Sequence, residues 1–202
     1  MSLRLDHLAI AATDLAQGAA AVEHVLGVPL EPGGRHPEFG THNRLLSLGP
    51  GEYLEVIAPD PDAPPPGRPR WFSLDAFAGP PALRTWIVRT DDMAAARARL
   101  GEEIGVPMTL ARGAYRWTMA VPPDGDLPYD LSHPAVLQWH GPQPPAALPD
   151  RGCRLLSLEV SHPEAAALQA RLAMDDARIA FRVGPPGLSA TLATPSGPVA
   201  LP

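Results

Sequence analysis

Leu5-Asp6-His7-Leu8-Ala9-Ile10 and Tyr53-Leu54-Glu55-Val56-Ile57 are short stretches rich in β-branched, aliphatic and aromatic residues and bounded by turn or cap signals. Aliphatic positions recur at every second residue in Leu8 and Ile10 and in Leu54 and Val56. A period of two marks a half-buried strand, whose side chains leave opposite faces in turn. Leu8 and Ile10 therefore share one face of the first strand and His7 takes the other. In the second strand Leu54 and Val56 share a face, with Tyr53, Glu55 and Ile57 opposite. Between the two the period lengthens: Leu15, Ala19, Val22 and Leu26 recur at helical intervals. Asp14 and Gln17 have capping-box spacing ahead of that helix, and Gly27 stops it. Val28-Pro29-Leu30 reads as a strand and Gly33 to Pro37 as a glycine-rich connection. Arg44 to Leu48 reads as a further strand before the Pro50-Gly51 turn. The order is strand, helix, strand, strand, strand.

A proline-dense stretch, residues 61–82, follows as an extended connector; within it Trp71, Phe72, Leu74 and Phe77 are apolar enough to dock on the domain surface. The pattern then recurs. Leu83 to Arg89 is a strand, Asp91-Asp92 caps a helix carrying Met93, Ala96 and Leu100, and Gly105-Val106-Pro107-Met108 repeats Gly27-Val28-Pro29-Leu30. The offset of 78 residues (105 − 27 = 78) places Thr85 on His7 and Asp92 on Asp14. Gln138-Trp139-His140-Gly141-Pro142 lies over Glu55-Val56-Ile57-Ala58-Pro59, so Glu55 corresponds to Gln138, after an insertion of about five residues in the preceding loop. Beyond a linker over 142–152 the pattern appears in shorter form. Leu155 to Val160 is a strand, Ser161-His162-Pro163-Glu164 is a capping box, and Leu168 and Leu172 mark a helix face before three short strands. His162 reads as structural there, and Ala200 takes the Glu55 position. The expected fold class is α+β, with βαβββ units over 1–60 and 83–141 and a degenerate third over 153–202.

Composition narrows the possible partners. The chain has 202 residues, 45% hydrophobic and 19% charged, enough to bury a proper core. A net charge of −6, with scattered arginines and no basic cluster, argues against nucleic acid and anionic membranes. The one cysteine, Cys153, rules out an intramolecular disulfide framework and reads as a small apolar residue. No stretch is long and apolar enough to span a bilayer, and no signal-peptide pattern opens the chain, so a cytoplasmic location is expected.

Repeated βαβββ units with His7 on a first strand and Glu55 on a last one resemble the vicinal oxygen chelate superfamily. Leu5-Asp6-His7-Leu8-Ala9-Ile10, His36-Pro37, Gly40-Thr41-His42-Asn43 and Tyr53-Leu54-Glu55 are similar to bacterial glyoxalase-like proteins, within the glyoxalase, bleomycin-resistance and dioxygenase group. The resemblance implies two units whose curved sheets form an open cup, with a divalent metal (Zn, Mn, Fe, Co or Ni) held by first and last strands of both. Carried over, the four positions are His7, Glu55, Thr85 and Gln138. Thr85 is a departure, because a neutral hydroxyl is a poor ligand for such a metal. The implied set is therefore His7, Glu55 and Gln138, with His42 or His140 as replacement ligands. His140 shares the strand parity of Gln138.

Two functions are carried forward. One is a metal-dependent lyase, isomerase or dioxygenase acting on a small oxygenated metabolite, with Glu55 as the catalytic proton carrier. The other is a metal-free protein that binds or sequesters a small molecule, which the loss at Thr85 favours. Family members commonly dimerise, so a homodimer is compatible. His36 and Asn43 lie in a glycine-containing loop at the cup mouth, either as binding residues or as local turn-formers. Trp139 shares the Leu137 face and reads as core, Trp117 fits either core or cup, and Arg116 is either a solvated residue or an anion contact.

Overall fold

The computed structural model describes residues 2–202. The first unit runs β1 (Leu3–Ala11), α1 (Leu15–Leu26), β2 (Glu31–His36), β3 (Thr41–Ser47) and β4 (Tyr53–Pro59). A short 3-10 segment, Trp71–Ala76, interrupts the connector. The second unit runs β5 (Ala82–Thr90), α2 (Met93–Leu100), β6 (Val106–Arg112), β7 (Tyr115–Val121) and β8 (Ala135–Trp139). The third has β9 (Arg154–Ser161), α3 (Ala165–Leu172), β10 (Ile179–Arg182), β11 (Gly187–Thr194) and β12 (Gly197–Ala200). Asp14 accepts from the Gln17 amide at the start of α1, and Gly27 closes it in the left-handed conformation. Asp92 does the same service for α2 through the Ala95 amide.

Units one and two share an eight-stranded sheet, ordered β2-β3-β4-β1-β5-β8-β7-β6, curled into a half-barrel. Its centre is the antiparallel seam of β1 against β5, where His7 faces Ile87 and Ala9 faces Thr85. The 78-residue offset exchanges these two pairs (7 + 78 = 85 and 9 + 78 = 87), so Thr85 does occupy the place of His7. Each strand of the seam carries one unpaired extra residue, Asp6 on β1 and Arg84 on β5, again 78 apart. Such bulges add twist and flip the local alternation. Leu5 and Leu8 consequently both face the helices although they stand three positions apart.

The glycine-rich segment is itself the strand β2, in place of the expected Val28-Pro29-Leu30. Asn43 and Arg112 occupy the space where side chains at Gly33 and Gly34 would stand; a Cβ on Gly34 would lie 2.5 Å from Arg112 Cδ. The glycines here make room for neighbouring side chains.

One core lies on the convex side, where Leu8, Ile10, Leu54, Val56, Trp86 and Val88 meet α1 and α2. The third unit keeps the strand-helix-strand-strand-strand order but not the sheet order: β9 sits inside its four-stranded sheet, between β10 and β11. Leu155, Leu158, Val160, Ala190 and Leu192 of that sheet join the same convex core. Arg178 ties it to the first unit through both carboxylate oxygens of Glu52, at 2.8 and 2.6 Å. The expected capping box over Ser161 to Glu164 does not form: the N-cap of α3 is Glu164 without a side-chain cap hydrogen bond, and His162 Nδ1 accepts from the Glu164 amide in the turn just ahead of the helix. The second core is concave and aromatic, and it surrounds the site described next. No helix among the described residues is long and apolar enough to cross a membrane.

Because Leu158 is fully buried in the core shared by the two sheets, Leu158→Ala should cost about 2–5 kcal/mol. Urea unfolding followed by far-UV circular dichroism would measure it.

Candidate functional site

The concave cup is floored by β1, β4 and β7 and narrowed by Trp71, Phe72, Trp117, Met119, Leu137 and Trp139, leaving a cavity of about 30 Å³. His7 and Glu55 converge there, with His7 Nε2 standing 3.6 Å from Glu55 Oε2. That separation holds an ion pair but is longer than a hydrogen bond. The other ring nitrogen, Nδ1, lies 2.7 Å from Asp6 Oδ1. A carboxylate at that distance requires Nδ1 to carry a proton. Asp6 is brought beside His7 by the β1 bulge, and its second oxygen accepts from Trp139 Nε1 at 2.9 Å. Tyr53, opposite His7 on β4, stacks on the imidazole at 4.2 Å. His7 is thus clamped in orientation from two sides.

Glu55 in turn accepts from the Asn43 amide nitrogen. Asn43 Oδ1 accepts from Arg112 Nη1 at 3.1 Å, and the same nitrogen donates to His36 Nε2 at 3.1 Å. His36 Nδ1 completes the chain against Thr41 Oγ1 at 3.1 Å. Since Arg112 can only donate, His36 accepts at Nε2 and is neutral with its proton on Nδ1.

The electrostatics follow from burial set against pairing. Burial resists charge on His7, but pairing with Asp6 and with the Glu55 carboxylate overcomes it and holds the imidazolium above its ordinary 6.5. Burial likewise opposes the Glu55 carboxylate, yet His7 and Asn43 bring it down to about 2. His36 moves the other way, to about 4, because burial and the Arg112 charge both disfavour its cation. Burial and the two acids push the Tyr53 phenol well above its ordinary 10.

Of the residues singled out by sequence, His7, Glu55, His36, Asn43 and Trp117 meet in or around this cup. Thr85 shares the concave side but is fully buried, its hydroxyl donating to the Trp86 carbonyl at 3.3 Å. Four residues lie elsewhere. Gln138 points to the convex side, where its Oε1 caps α2 by accepting from the Met93 amide at 2.9 Å. The true counterpart of Glu55 is Ala135: Ala9 pairs with Glu55 as Ile87 pairs with Ala135. His140 shares the Gln138 parity as expected, but that parity takes it away from the cup to an exposed position against Thr118 Oγ1 at 2.8 Å. His42 faces away from Asn43, toward Asp60 at 4.0 Å. Arg116 is exposed and donates to the Gly113 and Tyr115 carbonyls. Trp139 does share the Leu137 face, but both line the cup.

Asp6, Tyr53, Trp71 and Arg112 were not visible as site residues from sequence. The parity of Tyr53 with Glu55 pointed to it. Asp6 depends on an unmarked bulge, and Arg112 depends on β6 reaching β2 across the open side of the half-barrel.

This donor set does not fit a divalent metal. Only His7 and Glu55 are offered, their counterparts being a hydroxyl bound to backbone and an alanine without a donor. The Asp6 contact at His7 Nδ1 is one that metal-ligating histidines also make, but two ligands fall short of the about three protein ligands that catalytic sites use. Among the described residues, no group of three or more His, Cys, Asp or Glu side chains could hold a metal ion.

A family model and one solved structure agree with this architecture. A family model described as a glyoxalase-like domain matches residues 5–175. A hypothetical protein from Staphylococcus aureus superposes with a TM-score of 0.57 at 13% identity, covering 99% of this chain and 84% of the other. A methylmalonyl-CoA epimerase from Streptomyces coelicolor, in complex with 2-nitronate-propionyl-CoA, gives 0.43 at 17% identity, covering 67% and 95%. The epimerase from Mycobacterium tuberculosis gives 0.41 at 22%, covering 71% and 91%. No curated protein matches the chain by sequence.

Two outcomes follow from the charges. Glu55→Gln removes one of the two acids that sustain the His7 cation, so its pKa should fall by about one unit or more, read by imidazole 15N chemical shifts. The second concerns acid. His36 and His133 both sit at about 4 in the folded state against an ordinary 6.5, each disfavoured mainly by burial. A lowered histidine contributes stability above 6.5 that is lost as pH falls toward 4. His7 carries the opposite sign, and Glu55 loses its contribution only between 4.5 and about 2. Urea midpoints should therefore decline from pH 6.5 to 4, and His133→Asn should flatten that decline.

Proposed function

This chain belongs to the glyoxalase-like domain family, with the vicinal oxygen chelate fold, and we propose that its cup binds one small oxygenated molecule without a metal, over the His7–Glu55 pair. The observation that carries the reading is the lopsided residue set. The first unit keeps His7 and Glu55 where the second has Thr85 and Ala135, and the pair is already bound to Asp6, to Asn43 and to itself.

Such a pair does its work through hydrogen bonding. His7 Nε2–H lies beyond hydrogen-bond reach of Glu55, so it is free to donate to a ligand carbonyl or hydroxyl oxygen entering from the cavity. The Asp6 contact keeps the ring from rotating, in the way a carboxylate orients a catalytic imidazole. Glu55, held ionised at about 2, is a weak base at neutral pH. It stabilises positive charge on His7 and receives a hydroxyl proton as an acceptor. This supports binding of an oxygenated ligand, and it supports proton donation from His7 to a developing oxyanion where the ligand is a substrate.

A second reading keeps the divalent-metal-dependent lyase, isomerase or dioxygenase that the family resemblance implies. What favours it is the convergence of His7 and Glu55 within one cup. The donor set weighs against it.

Metal analysis after loading with Zn, Mn, Fe, Co and Ni separates the two. The expected result is well below one metal per chain, unchanged in the His7→Ala, Glu55→Ala double variant. Stoichiometric metal that the double variant loses would overturn the metal-free reading.

A further inference from the structure

We propose that the ligand of this cup is a small monocarboxylate, its carboxyl group seated on the free edge of the Arg112 guanidinium and its apolar remainder lying among Trp117, Trp139 and Leu137. The inference rests on the cup being a small-molecule site, as proposed above, and adds the class of molecule it takes.

Three observations carry it. The first is an uncompensated cation. Arg112 is the single arginine lining the cavity. It pairs with no carboxylate among the described residues: its partners are the neutral His36 and the Asn43 amide oxygen, with the Tyr115 ring 5.7 Å away. Half-buried guanidinium groups are normally matched by an anion, because their charge loses hydration there. The second is geometry. Both contacts use Nη1, so Nη2 and Nε have no hydrogen-bond partner among the described residues. Those two nitrogens form the side of the fork that receives a carboxylate through two parallel hydrogen bonds. The third is an unmatched donor in the same lining. Trp71 is 4% exposed and its Nε1 has no acceptor among the described residues. A buried indole N–H without a partner costs free energy that a ligand oxygen recovers.

The charge of the cup also limits the anion to one unit. Glu55 lines it and Asp6 stands directly behind His7, the two acids being answered by His7 and, for Asp6, by Arg89 at 3.6 Å, so that Arg112 is left as one unmatched positive charge. A dianion such as a phosphate monoester meets repulsion from both acids, whereas a single carboxylate balances Arg112 and stops there. The small cavity favours a short or compact acid, and the aromatic walls favour an apolar rest.

Matched acid and amide pairs test this directly: formate with formamide, acetate with acetamide, isobutyrate with isobutyramide, and benzoate with benzamide. Each is titrated at pH 7 into 15N-labelled protein, following the indole and imidazole resonances, with sulfate, a dianion at that pH, as a control. In the wild type at least one acid should bind about tenfold or more tightly than its amide, and sulfate should leave the cup signals unmoved. Arg112→Gln should abolish the acid preference while keeping amide binding. Arg112→Lys, which retains charge without the fork, should keep a reduced preference and decides the matter if the glutamine variant unfolds. Equal binding of acid and amide, or a preference that survives Arg112→Gln, overturns the carboxylate assignment and leaves the small-molecule cup standing. Probes of neither kind perturbing the cup resonances would remove both.

Discussion

The antiparallel seam between β1 and β5 is the constraint on which the molecule depends. It joins the two halves of the large sheet back to back, and its pairing fixes which residues of each half can look into the cup. Its two bulges are related by the same internal offset as the helix caps, and both change what the seam delivers. On β1 the extra residue is Asp6, which becomes the partner of His7. On β5 it is Arg84, which donates to the carbonyls of Phe72 and Ser73 at 3.0 and 3.4 Å. Those two residues hold left-handed φ values of 60° and 54° without being glycine. Each such conformation costs of order 1–2 kcal/mol, so Trp71 and Phe72 cover the cup because the seam holds their backbone there.

Buried charge shapes the rest of the site. Asp6 and Glu55 are 1% and 5% exposed, and an ionised carboxylate so placed needs cations and donors around it. Arg89 supplies part of this for Asp6, at 3.6 Å, while also donating to the Leu5 and Gly51 carbonyls. The result is a chain of contacts from Arg89 through Asp6, His7, Glu55, Asn43 and Arg112 to His36. It spans both halves of the sheet, so the polar groups stitch the cup closed as well as furnishing it.

Much of this was legible in the sequence, for reasons that explain what was not. Alternation from His7 to Ile10 in β1 and through β4 placed His7 and Glu55 on one side, and that arrangement holds. Helix caps and the Gly-Val-Pro repeat anchored the offset that correctly sets Thr85 on His7. The same reasoning failed at β8. Matching the proline-terminated ends of β4 and β8 put Gln138 on Glu55, but strand pairing is counted from the neighbouring strand, and it selects Ala135. The loop before β8 absorbs residues without a sequence mark. Bulges are equally silent, since an extra residue leaves the alternation on either side intact. The glycines of β2 read as a connection because their purpose, space for Asn43 and Arg112, is visible only once the sheet edges meet.

Internal duplication usually suggests a symmetric interior, yet the two copies have diverged in opposite directions. One side of the hollow presents an imidazole and acids; the other, around Ile87, Met119, Ala135 and Leu137, is hydrocarbon and thioether. For the ligand proposed above, with a wet end and a greasy end, the two walls are complementary in one orientation and mismatched in the other. On that reading the architecture is a polarised socket that tells head from tail before any finer recognition begins.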